Sequence, residues 1–178
     1  MLLALPLLVG LQYWPKERVV WDSPKSQITF SIGGDVVSGF RLRKRDKASG
    51  AMLSRDFSGS ELGFERLVGD PDKGPFAIVR TGIGGWDHYG NSHILSVRLE
   101  PILQCREVWD VGTWGALISD VADNYPSNLR FVSLGKKPRT VWTRPYQGIP
   151  IRLSPTRLQI GTKRIIVDAR TGKTLKKG

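Results

Sequence analysis

Gln27-Ile28-Thr29-Phe30-Ser31-Ile32 alternates polar and apolar side chains, and the turn-forming Gly33-Gly34-Asp35 follows directly. A period of two puts Ile28, Phe30 and Ile32 on one side of an extended chain, as in a half-buried strand. Residues 36–42 return as a second strand, so the stretch predicts a hairpin. Similar short runs recur at 75–80, 92–99, 105–111, 115–121, 129–132, 140–142, 149–153, 158–160 and 164–167. No window of helical length keeps a 3.6-residue apolar period between turn signals. Roughly ten short strands with little helix are expected, joined by turns that use the scattered 20 Gly and 11 Pro. The basic cluster 41–47 is expected at a solvated hairpin tip, and residues 54–74 hold most of the loop chemistry.

The length of 178 residues suits one domain with a real core, and 24% charged residues with 40% apolar residues exclude wholesale disorder. The net charge of +11 is unevenly spread. Residues 1–125 carry 14 Lys/Arg against 15 Asp/Glu, whereas residues 126–178 carry 13 Lys/Arg and one acid, Asp168. The whole excess therefore lies in the final third. Such a charge asymmetry points to a polyanionic partner, either nucleic acid or an anionic surface. Lys136, Lys137, Arg139, Arg144, Arg152, Arg157, Lys163, Arg164 and Arg170 are the candidate contacts. The competing explanation is a solvated face that serves solubility alone.

Residues 1–11 (MLLALPLLVGL) are uncharged, match the apolar core of a secretory signal in length and are too short to span a bilayer as a helix. Residues 1–22 are thus expected to be a signal-like or anchoring leader and linker, and 23–178 a single β-rich domain whose basic part is 126–178. A secreted, periplasmic or envelope-associated location follows, with the cytoplasm as the alternative. The lone Cys105 excludes an intramolecular disulfide and reads as a buried, inert thiol.

Two segments carry a family resemblance. Asp70-Pro71-Asp72-Lys73-Gly74 leading into residues 75–80, and Asp120-Val121-Ala122-Asp123 leading into 129–132, resemble the FG-GAP/VCBS type of β-propeller repeat across 69–134. Asp168-Ala169-Arg170-Thr171-Gly172-Lys173 resembles the D-A-x-T-G-K strand turn of quinoprotein-type (PQQ-like) propeller repeats. The resemblance implies antiparallel blades in an all-β fold, propeller-like or sandwich-like. It also implies calcium ligands at Asp70, Asp72, Asp120 and Asp123. Lys73 inside the first loop and Pro126 after the second depart from that ligand pattern, so no cofactor is expected.

Catalytic motifs are sparse. His88 and His93 lie on a Gly-bounded stretch without helical spacing, and no metal site is expected there. Gly172-Lys173-Thr174 lacks the P-loop glycine, because position 167 is Val167. Glu61 and Glu65 fall i,i+4 in a short helical window and read as a solvated face. Of six tryptophans, Trp86 and Trp142 are expected at the surface as aromatic contacts, and the others in the core. The reading is a non-catalytic interaction domain with an unidentified protein or anionic partner. The alternatives are a dedicated polyanion binder and a hydrolase built on Asp70, Asp72, Asp87 and His88.

Overall fold

The computed structural model describes residues 17–32, 39–57, 63–81, 92–122, 125–161 and 164–176. These residues form sixteen strands and no helix. The first sheet holds β1 (Arg18–Asp22), β2 (Ser26–Ile32), β3 (Phe40–Asp46) and β4 (Met52–Phe57). The second holds β5 (Gly63–Gly69), β6 (Phe76–Thr81), β7 (Ser92–Leu95) and β8 (Pro101–Cys105). The third comprises β9 (Glu107–Gly112), β10 (Gly115–Ala122), β11 (Tyr125–Ser133) and β12 (Arg139–Pro145). The fourth comprises β13 (Ile151–Ser154), β14 (Arg157–Ile160), β15 (Ile165–Asp168) and β16 (Thr174–Lys176).

Every sheet is an antiparallel meander in which spatial order follows sequence order, and none closes into a barrel. The sheets open at Arg18, Gly63, Glu107 and Ile151, so the unit recurs every 44 or 45 residues. Successive sheets pack face to face around three cores. Phe30, Phe40, Leu42 and Phe57 meet Phe76, Ile78 and Leu95 between the first and second sheets. Ala77, Val79 and Ile94 meet Val108, Ala116, Ile118 and Val132 between the second and third. Leu117, Leu129, Phe131 and Trp142 meet Leu158, Ile160, Val167 and Ala169 between the third and fourth.

This stacking explains the two kinds of strand sequence. In β6, Phe76 and Ile78 face one core while Ala77 and Val79 face the next, so the strand is apolar from Phe76 to Val79. Buried Arg80 follows, with its guanidinium 4.2 Å from the Phe40 ring centroid. In β2, Ser26, Ile28 and Phe30 are buried, and the less covered Gln27, Thr29 and Ser31 alternate with them. A sheet buried on both faces loses the period of two that a half-buried sheet keeps.

Several expectations need correction. There are more strands than the sequence patterning suggests, because edge strands carry little apolar signal. β4 is exposed at every position but Phe57, and it runs into the segment 54–74 read as loop, which also contains β5. β1 forms within the segment read as linker, so the first sheet begins at Arg18. The cluster 41–47 is mostly strand: the register puts Arg41, Arg43 and Arg45 on the outer face of β3 and turns Lys44 inward. Glu65 lies on β5, with no helix around it. The expected Gly33-Gly34-Asp35 turn, Glu61 and the apolar residues 1–11 lie outside the described residues.

Side-chain bonds from turns tie the first two sheets together. Asp72, in the β5–β6 turn, accepts hydrogen bonds from Ser23 Oγ and Ser26 Oγ, both at 2.5 Å. Lys44 Nζ donates to the Pro71 carbonyl at 2.7 Å and lies 3.9 Å from Asp72. Burial pushes the Asp72 carboxyl up, but the two serine hydroxyls and Lys44 outweigh it and hold it below the usual carboxylate value. Burial also lowers the Lys44 ammonium, against the pull of Asp72.

Candidate anion-binding face

The cations of the final third lie on the third and fourth sheets. Lys136 and Lys137 are exposed in the β11–β12 turn, and exposed Arg139 opens β12. Arg144, further along β12, is half-buried and donates through Nη2 to Thr174 Oγ1 at 2.9 Å. Arg157 opens β14, Arg164 precedes β15, and Arg170 sits in the β15–β16 turn, all three exposed. Lys163 lies outside the described residues.

The β15–β16 hairpin docks on β12 and so joins the two basic sheets. Trp142 Nε1 donates to the Ala169 carbonyl at 2.9 Å, and the indole covers Gly172. The Asp168 carboxylate shapes the turn by accepting bonds from the Arg170 and Thr171 N–H groups and the Thr171 hydroxyl. The Thr171 hydroxyl and N–H, followed by the Arg170 N–H and charge, hold Asp168 below the usual carboxylate value. The one acid of the final third is therefore engaged in its own turn. Neighbouring acids are engaged as well: Asp120 pairs with Arg130 at 2.7 Å, and Asp110 pairs with Arg152.

Two proposed contacts are structural instead. Arg152 faces the third sheet, with its guanidinium 3.4 Å from the Trp114 ring centroid, hydrogen-bonded to Asp110 and to the carbonyls of Ser154 and Pro155. Its charge is directed into the sheet interface. Trp142 is 8% exposed and belongs to the third core, stacked on Phe131 at 6.0 Å, so it is not a surface contact. A large ring on a strand that faces a neighbouring sheet is buried by that sheet, and sequence alternation alone does not reveal which face that is. Trp86 lies outside the described residues.

Lys173 and Lys176, in the basic tail 173–177 that the sequence offers as an ordered contact, are exposed on the same hairpin. The sequence reading missed a second copy of the turn. Asp46-Lys47-Ala48-Ser49-Gly50 joins β3 to β4 as Asp168-Ala169-Arg170-Thr171-Gly172 joins β15 to β16. In each, the Asp carboxylate accepts from the N–H and hydroxyl of the Ser or Thr three residues on. In each, the glycine N–H bonds the Asp carbonyl with φ near +70°. The shared D-x-x-[ST]-G pattern was readable in the sequence.

The calcium ligands that the resemblance implies have other partners where they are described. Asp70 pairs with Lys73 at 2.8 Å, Asp72 is held by two serines, Asp120 is bound to Arg130 in mid-strand, and Asp123 lies outside the described residues. Asp70 and Asp120 are 50 residues apart, out of step with the 44–45-residue recurrence of the sheets. Among the described residues no three His, Cys, Asp or Glu side chains gather as for a metal. Asp87 and His88 also lie outside them, while His93 is buried against Phe40 and Phe57. No described helix is long and apolar enough to cross a membrane. Comparison with family models, curated proteins and solved structures finds no match to this chain.

Proposed function

We propose that this chain is a non-catalytic, secreted or envelope-associated interaction domain of β-propeller-type blades, which receives an anionic partner on its basic third and fourth sheets. One observation carries the reading. Lys136, Lys137, Arg139, Arg157, Arg164, Arg170, Lys173 and Lys176 are exposed there, while the acids nearby are held in a turn or in ion pairs. An uncompensated cationic surface raises the local concentration of anions and speeds their encounter. Four-stranded meanders recurring every 44 or 45 residues support the blade reading, as does the D-x-x-[ST]-G turn in the first and fourth sheets. The apolar residues 1–11 support a location at or beyond the envelope.

The test is binding of the full chain to heparin and to single-stranded DNA across a salt series. Affinity is expected to fall steeply with salt, and to weaken uniformly in Lys136→Glu/Lys137→Glu/Arg139→Glu. Salt-insensitive binding, or none, refutes the reading.

A further inference from the structure

The two ends of the sheet stack differ in the pairing of their cations. On the first sheet, the register sets Gln27, Thr29 and Ser31 beside Arg41, Arg43 and Arg45 and beside Ser54 and Asp56 on the face away from the second sheet. Arg41 pairs with Asp56, and Arg43 with Glu17, so two cations of that face are neutralised; exposed Val19 and Met52 lie in the same row, beside Thr29 and Arg45. On the fourth sheet, Arg152, Leu158, Val167 and Thr174 form the row turned toward the third sheet. The opposite row is Ile151, Gln159, Ile166 and Lys176. Ile151 and Leu153 on β13 are 51% and 50% exposed, Leu175 on β16 is 53% exposed, and Ile149 just before β13 is 67% exposed. Exposed Arg157 and Lys176 share this sheet, with Arg164 and Lys173 at its hairpin ends.

We infer that this outer face of the fourth sheet docks on an anionic lipid surface. The inference rests on the anionic-partner reading above and names the partner's class. Exposed aliphatic side chains on a sheet that also carries exposed Lys and Arg match a bilayer interface, where apolar groups enter the acyl boundary and cations meet phosphate headgroups. A single-stranded nucleic acid would instead need aromatic platforms for its bases. Trp142, the aromatic residue that the sequence offered for that role in the basic third, is buried. A second copy of the face would set its cations against their like.

The experiment is co-sedimentation of the full chain with vesicles of phosphatidylglycerol and phosphatidylcholine in equal parts, and with phosphatidylcholine vesicles alone. Ile151→Ser/Leu153→Ser is compared with the parent chain. Residues 1–11 are present in both, so the comparison reads the sheet face. Binding to the anionic vesicles only, weakened about tenfold in the double variant, is expected. Hydrogen-exchange protection of residues 149–153 and 174–176 on vesicle addition is a readout independent of the substitutions.

Equal binding by the parent and the double variant, without that protection, overturns the inference, as does equal binding to the neutral vesicles. A concentration-dependent dimer lost in the same variant assigns the face to a second copy and also overturns it. Binding of heparin or DNA without vesicle binding overturns the lipid surface alone and leaves the anionic-partner reading standing. Failure with all three probes overturns both.

Discussion

Trp142 lies against Gly172 so closely that a β-carbon on the glycine would sit 2.7 Å from the indole Cγ. Gly172 also has φ of +68°, where an L side chain is strained. The contact fastens the β15–β16 hairpin to β12, joining the fourth sheet to the third.

Gly172→Ala is therefore expected to destabilise the fold more than Gly50→Ala. Gly50 has the same handedness, with φ of +73°, but has no neighbour within 4 Å of its missing side chain. Urea denaturation should show about 1–2 kcal/mol for Gly50→Ala from backbone strain alone. Gly172→Ala should exceed that value by the cost of displacing the indole. Equal losses at the two sites would mean that the indole yields freely.

Asp72 predicts an acid-dependent loss of stability. Its carboxyl is held below the ordinary value in the folded chain, so its contribution is fully present above about pH 4, the unfolded value, and is lost as pH falls through the folded value. Asp72→Asn should cost about 1–3 kcal/mol at neutral pH, because Ser23, Ser26 and Lys44 lose a charged acceptor. The gap between variant and parent in urea denaturation should narrow at about pH 3.

Arg152→Lys is expected to separate structure from binding. Lysine keeps the charge but loses the planar stack on Trp114 and the fork that meets Asp110. Stability should fall by about 1–2 kcal/mol, with heparin affinity unchanged. A matching loss of affinity would show that Arg152 reaches the partner.

Cys105 should resist disulfide reagents in the native state. Burial, with Glu107 nearby, pushes its thiol up to about 12, so almost no thiolate exists at neutral pH. Reaction with Ellman's reagent should appear only on unfolding, and stoichiometric labelling of the native chain would contradict this placement.

The sequence alone determined the strand-rich class, the turn chemistry around Asp168 and the charge asymmetry. Each of these is written in near neighbours: alternation along one strand, a capping carboxylate followed by a glycine, a run of cations without acids. Edge strands such as β4 escaped notice because they bury almost nothing and so need no apolar pattern. The sheet-to-sheet recurrence was obscured by choosing Asp70 and Asp120 as equivalent positions, when one lies in a turn and the other in mid-strand.

Only the tertiary structure decided which cations are free. Arg152 and Arg157 look alike in sequence, yet one stacks on Trp114 and pairs with Asp110 across an interface, while the other is exposed on β14. It also buried Trp142 and left Ile151, Leu153 and Leu175 uncovered. The physical reason is that a strand's period of two defines two faces without saying which one a neighbouring sheet will cover. That choice is made by residues far away in the chain.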